Sequence, residues 1–293
     1  VTAWTPGGLS RLSCLVEATA RKPGNVHPRA SFIDCCYDDF VRAADAIVGP
    51  LDRAGEEGVG ASILAAVEAT RAVTAANVNL GMVLLLAPLA AAWAPGIDPI
   101  GLRARLARVL DGLTIGDARD AYRAIRLAAP GGLGASDEQD VAAEPTVSLR
   151  EAMSLAADRD LVARQYATAF ADVFEVGVPA LHAHLGRRDD LEEAVIGAFL
   201  DLLALRPDSL IARKRGPAVA AEASRRADEA RRAGSLDPCG PALIDLDSWL
   251  RGDGHARNPG ATADLVAATL FVALAGGRGG IVARAEAFTA RAR

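Results

Sequence analysis

No stretch of this 293-residue chain alternates apolar and polar residues for long enough to make a central β-strand. Ala/Leu/Arg/Glu-rich segments at helical spacing recur instead, and aromatic residues are only 4% of the chain, which removes the usual strand formers. The spacing predicts helices over 9–20, 38–48, 59–76, 102–110, 117–128, 158–185, 191–205, 217–233, 261–274 and 281–292, with the long one broken or kinked near Pro179. Pro and Gly punctuate the gaps, at Pro95-Gly96, Pro130-Gly131-Gly132, Pro207, Gly216-Pro217 and Pro238. The apolar run 82–94 reads as a further helix, buried on most sides. The expected fold is all-α: a single helical domain over 1–293, of about a dozen helices around a central polar cleft.

Composition narrows the function. A net charge of −5 argues against a nucleic-acid partner, whose binding needs a basic face. That apolar run is shorter than the roughly 20 residues of a membrane span, and no basic region followed by an apolar block opens the chain, so a cytoplasmic protein with no membrane partner is expected. The cysteines Cys14, Cys35, Cys36 and Cys239 lack metal or disulfide-framework spacing and read as reduced thiols.

The polar residues are unevenly placed. All four asparagines and both lysines fall in short motifs: Lys22 and Asn25 in KPGNVHP, Asn77 and Asn79 in NVNLG, Lys214 in PDSLIARKRG, and Asn258 in NPGATADL. Elsewhere the cation is arginine. Lysine offers a compact charge and asparagine a neutral donor–acceptor pair, so their confinement to loop-like segments points to a phosphorylated or sugar-bearing small ligand. Turn formation beside Pro and Gly is the competing explanation.

Each motif has its own chemistry. Lys22, Asn25 and His27 share one turn after a helix stop, where a cation, an amide and an imidazole can hold a phosphate chain. Asn77 and Asn79 lie between two apolar helices, either bracing a break or holding a ligand. The loop 131–140 joins glycines to acids. Asp137 and Asp140 would share a face if it opened a helix, which suits carboxylate ligation of a phosphate-bound Mg²⁺. Arg213 and Lys214 form a cationic patch before another helix. Asn258-Pro259-Gly260 precedes a helix with Asp264 in its expected first turn, beside a natural anion site. His182 and His184, two apart on a helix, are no metal pair.

Taken in order, Glu17–Val26 (EATARKPGNV), Asp39-Phe40, Asn77–Gly81 (NVNLG), Pro130–Val141, Pro207–Lys214 (PDSLIARK) and Asn258–Leu265 (NPGATADL) resemble the triphosphoribosyl-dephospho-CoA synthase family across nearly the whole chain. The resemblance implies an all-helical transferase. It would join the ribose of ATP to the ribose 2′-hydroxyl of dephospho-CoA, release adenine, and supply a prosthetic-group precursor. ATP and dephospho-CoA are then the partners and Mg²⁺ the cofactor, with room for a homodimer. It also implies roles: Glu17 as base with His27 assisting, Lys22, Asn25, Asn77, Asn79, Arg213, Lys214 and Asn258 on nucleotide and phosphate, and Asp137, Asp140 and Asp264 on metal. Family members carry Asn-Thr-His-Lys/Arg-Gly where this chain has Asn77-Val78-Asn79-Leu80-Gly81, so a histidine and a basic residue are missing. That departure leaves two alternatives: a related enzyme with another acceptor in one-carbon or pterin-type cofactor synthesis, and a non-catalytic nucleotide-binding partner.

Overall fold

A computed structural model describes residues 4–131, 134, 138–277 and 280–292. Among these the protein is helical throughout. The first half holds α1 (Pro6–Thr19), α2 (Tyr37–Ala46), α3 (Val48–Asp52), α4 (Ala54–Glu57), α5 (Val59–Val73), α6 (Leu80–Ala92), α7 (Pro99–Asp111) and α8 (Ile115–Ala128). The second half holds α9 (Leu149–Ala156), α10 (Leu161–Thr168), a π-helical turn (Asp172–Gly177), α11 (Val178–Arg188), α12 (Leu191–Leu205), α13 (Ser209–Arg215), α14 (Pro217–Arg232), α15 (Pro241–Arg251), α16 (Gly260–Ala275) and α17 (Ile281–Ala290). One four-residue extended stretch, Gly252–His255, is the only strand-like element described.

Two helices that are apolar on every side form the centre, as a fully enclosed helix must. They are α6 and α16, which pack on each other and both against α1, so the two ends of the sequence meet in one core. Pro88 lies inside α6 and cannot donate to the carbonyl of Leu84, four residues back. The Tyr166 hydroxyl from α10 donates to that carbonyl instead, at 2.6 Å, so the buried acceptor is satisfied and the helix runs on.

The long helix expected over 158–185 is broken at Ala169-Phe170 and distorted into a π turn, Asp172–Gly177, just before Pro179. Ala169 and Phe170 both adopt left-handed backbone, with φ of 49° and 59°, and end α10. The backbone stays helical from the π turn into α11, so the irregular turn sits where the Pro179 ring and missing N–H cannot continue an ordinary α-helical ladder. Five helices go beyond the sequence expectation: the short α3 and α4, and α9, α13 and α15, whose N-cap residues are Ser148, Asp208 and Gly240. Nor does the acidic loop open a helix at Asp140; the next helix starts at Leu149.

Gly60 fixes the α5–α8 contact. A β-carbon there would fall 2.4 Å from the Asp117 Cα. Gly60→Ala must therefore separate two backbones, and chemical denaturation should show a loss of about 1–3 kcal/mol; an unchanged midpoint would mean the helices can part freely.

Candidate active site

The ends of α1, α5, α6, α8, α9, α10, α13 and α16 surround one cleft of about 1020 Å³. Its wall includes Glu17, Asn25, Asn77, Asn79, Asp140, Arg213, Lys214, Asn258 and Asp264. Residues read from five separated motifs thus face one space. Lys22 and His27 are not part of that wall, and Asp137 lies outside the described residues.

Lys22 is wholly buried, and its ammonium is spent inside the protein. Nζ lies 2.8 Å from Glu17 Oε1, donates to the Glu17 carbonyl, and reaches the Ala20 carbonyl at 3.3 Å. It holds Glu17 in place and does not point at the cleft. The turn that follows is anchored three ways. Arg21 makes a bidentate pair with Glu192, at 2.7 Å to each oxygen. The Gly24 N–H donates to Asp247 Oδ1 at 2.7 Å, and Arg251 donates to the Asn25 carbonyl. Gly24 has φ of +76°, and a β-carbon on it would meet Leu250 at 2.8 Å, so the turn needs glycine on both counts. His27 has its imidazole pushed down to about 4, by burial first and then by Arg251, so it is neutral at pH 7.

The rigid turn presents Asn25 to the cleft. Asn25 Nδ2 donates to Asn258 Oδ1 at 2.7 Å, joining the first and last motifs across the molecule. Asn25 Oδ1 is buried and has no partner. Asn79 lines the cleft too, but its Nδ2 donates to Thr70 Oγ1 at 3.0 Å and braces the entry to α6. Asn77 is exposed at the rim.

Two carboxylates make the floor. Glu17 is pushed up by burial, against the pull of Lys22. Asp264 is raised well above the ordinary carboxylate range, by burial first and then by the charge of Glu17. It stands in the second turn of α16 rather than the first, because the helix starts at Gly260. Among the described residues it takes no hydrogen bond and no ion pair. Gly81 makes room for it: a β-carbon there would lie 1.9 Å from Asp264 Oδ2.

The cationic wall is equally unfinished. Arg213 approaches Asp160 at 3.6 Å, yet its Nε is buried without an acceptor. Lys214 is half-buried with no ion pair described, and burial, then Arg213, lowers its proton affinity. Asp208, by contrast, is purely structural. It is fully buried, caps α13, and accepts from Thr262 N at 2.7 Å and Oγ1 at 2.8 Å, tying α13 to α16.

Sequence reasoning missed several wall residues. His255 lines the cleft and pairs with Asp34 at 3.1 Å; Arg71, Arg159 and Asp160 line it too. Arginine is the common cation here, so nothing in the sequence separates these two from solvated ones. The described residues gather no group of three His, Cys, Asp or Glu side chains able to hold a metal. Asp140 and Asp264 share the cleft, but they do not form a metal centre by themselves.

The profile of the CitG family, described as ATP:dephospho-CoA triphosphoribosyl transferase, matches residues 3–281. The fold is similar to a crystal structure from Archaeoglobus fulgidus assigned as a triphosphoribosyl-dephospho-CoA synthase. The TM-score is 0.64 and the identity 26%, covering 80% of this chain and 98% of that one. No match was found among curated proteins. No helix of the described residues is long and apolar enough to cross a membrane.

Proposed function

The chain belongs to the CitG family of ATP:dephospho-CoA triphosphoribosyl transferases, and from that premise we propose how its cleft divides the work. The enzyme moves the triphosphoribosyl group of ATP onto dephospho-CoA. The observation that carries the assignment of roles is the pair of unsatisfied charges in one cleft, Lys214 with Arg213 Nε on one side and Asp264 on the other.

The cations take the triphosphate. A half-buried ammonium without a counter-ion gains most from a polyanion, and a guanidinium with a free Nε–H adds a directed hydrogen bond. Mg²⁺ enters with ATP as part of that substrate. A phosphate-bound Mg²⁺ usually takes only one or two protein carboxylates, which fits a cleft without a three-ligand site. Asp140 would approach it from the loop wall.

The carboxylates take the chemistry. As the acceptor 2′-hydroxyl attacks C1′ of the ATP ribose, its proton passes to Asp264. The C1′–N9 bond breaks, and its electron pair leaves with adenine, which is protonated as it departs. Asp264 suits the base because burial and the neighbouring carboxylates raise its proton affinity against the opposing charge of Arg213, and no cation forms an ion pair with it among the described residues. Glu17, tethered by Lys22, stays in place to stabilise positive charge developing on the ribose. An unpaired carboxylate at the floor has no use in a non-catalytic nucleotide carrier, since it would only repel the ligand.

Lys214→Ala tests the triphosphate assignment. Saturating MgATP should raise the melting temperature of the parent, since a ligand that binds only the folded state stabilises it. The variant should lose most of that shift and release adenine from ATP and dephospho-CoA at least about tenfold more slowly at fixed subsaturating ATP. A parent-like response would move the triphosphate elsewhere.

A further inference from the structure

Around Glu17 and Asp264 the cleft presents an excess of hydrogen-bond acceptors. Glu17 and Asp264 present carboxylates within electrostatic reach of each other. Asn25 is only 5% exposed, lines the same cleft, and its Oδ1 has no partner. The cation nearest Glu17, Lys22, is consumed by three protein oxygens. Such a surface fits a ligand that brings donors, and a ribose cis-diol brings two, side by side. It rejects a dianion, which brings none and meets like charge.

We propose that Asp264, with Asn25 on the wall of the same cleft, is the specificity-determining group for the acceptor: it accepts from the adjacent 2′- and 3′-hydroxyls of the acceptor ribose and bars any acceptor whose 3′-oxygen carries a phosphate. This rests on the transfer reading above, which places the attacking 2′-hydroxyl at Asp264. On that ribose the 3′-oxygen is the immediate cis neighbour, so a group that holds one meets the other. A 3′-phosphate would then face Asp264 and Glu17 with no cation to neutralise it, because Arg213 and Lys214 are engaged by the triphosphate. Selectivity for dephospho-CoA over CoA is thereby a property of the floor rather than of cleft size. Gly81 supports it, since only a residue without a β-carbon lets Asp264 sit where it does.

The test measures binding, so loss of turnover does not confound it. Titration calorimetry compares dephospho-CoA with CoA on the wild type and on Asp264→Asn, both saturated with Mg²⁺-tripolyphosphate to fill the cationic side. Melting curves check that the variant is folded. The wild type should prefer dephospho-CoA by at least about tenfold, and the variant should narrow that to within about threefold by binding CoA better. A wild type that does not discriminate, or a variant with the preference intact, overturns the inference. A wild type that releases no adenine with dephospho-CoA removes the transfer reading, and this inference with it. Normal release with a selectivity that Asp264→Asn does not move overturns the inference alone.

Discussion

Asp264→Asn should lower the rate of adenine release by roughly 10²–10⁴-fold, the usual worth of a positioned general base, and should leave the MgATP-induced rise in melting temperature in place. The amide matches the carboxylate in size, so the space over Gly81 stays filled and the triphosphate end is untouched. It cannot take a proton from the acceptor hydroxyl. The same substitution should make the protein more heat-stable at neutral pH. Burial and the charge of Glu17 hold the Asp264 proton affinity above its unfolded value, so the folded state favours the protonated form. That contribution to stability is complete below the unfolded value of 3.8 and is lost as pH rises through the folded one. At pH 7, above the unfolded value, the buried acid therefore costs the folded state, and Asn removes that cost, an exchange of stability against activity typical of reacting centres. Wild-type activity should climb with pH through the raised titration of this base. A variant that retains more than a tenth of parental turnover would take the base role from Asp264, whatever its melting temperature.

How far the sequence discloses this site depends on what each residue type reveals. Helical periodicity is a local property, and it located the apolar helices α6, α12 and α16 to within two residues. The break at Ala169–Phe170 carries no local Pro or Gly, and the π turn behind it packs Gly177 onto Thr269, where a β-carbon would fall 2.2 Å from the hydroxyl. A lone proline at 179 signalled the π turn just before it and gave no sign of the break at Ala169–Phe170. In the cleft, scarcity was informative. Asn25, Asn77, Asn79, Asn258 and Lys214 stand out in a chain that otherwise uses Arg and Ala, and all five line the cleft. Scarcity identifies a residue as special without saying which way it points. Asn79 braces a helix, and Lys22 faces inward. Asp264 was visible in its NPGATADL motif as a candidate metal ligand, and only its missing partners in the fold suggest a different role.

Lys22→Met should produce the largest loss of stability of any single change considered, about 3–5 kcal/mol, because it strips the counter-ion from a carboxylate buried in the core. The side chains of Lys22 and Glu17 are 0% and 3% exposed, so solvent cannot take over the neutralisation. Burial already pushes the Glu17 carboxyl up, and Lys22 is what opposes it. Without the ammonium that rise grows. The folded variant must then either hold an unpaired charge or bind a proton, and at neutral pH both are costly. The cost should shrink as pH falls toward 4.5, the ordinary value for a glutamate, where the unfolded chain also binds the proton. Urea unfolding across pH 4–8 measures this directly. Pairing the change with Glu17→Gln should recover much of the loss, since a buried ion pair adds little over a neutral pair of similar volume. A phosphate-binding lysine behaves in the opposite way: its removal leaves stability nearly unchanged and erases the MgATP shift. If Lys22→Met gives that second pattern, Lys22 swings into the cleft when nucleotide binds, and Glu17 loses the tether on which its role beside the ribose depends.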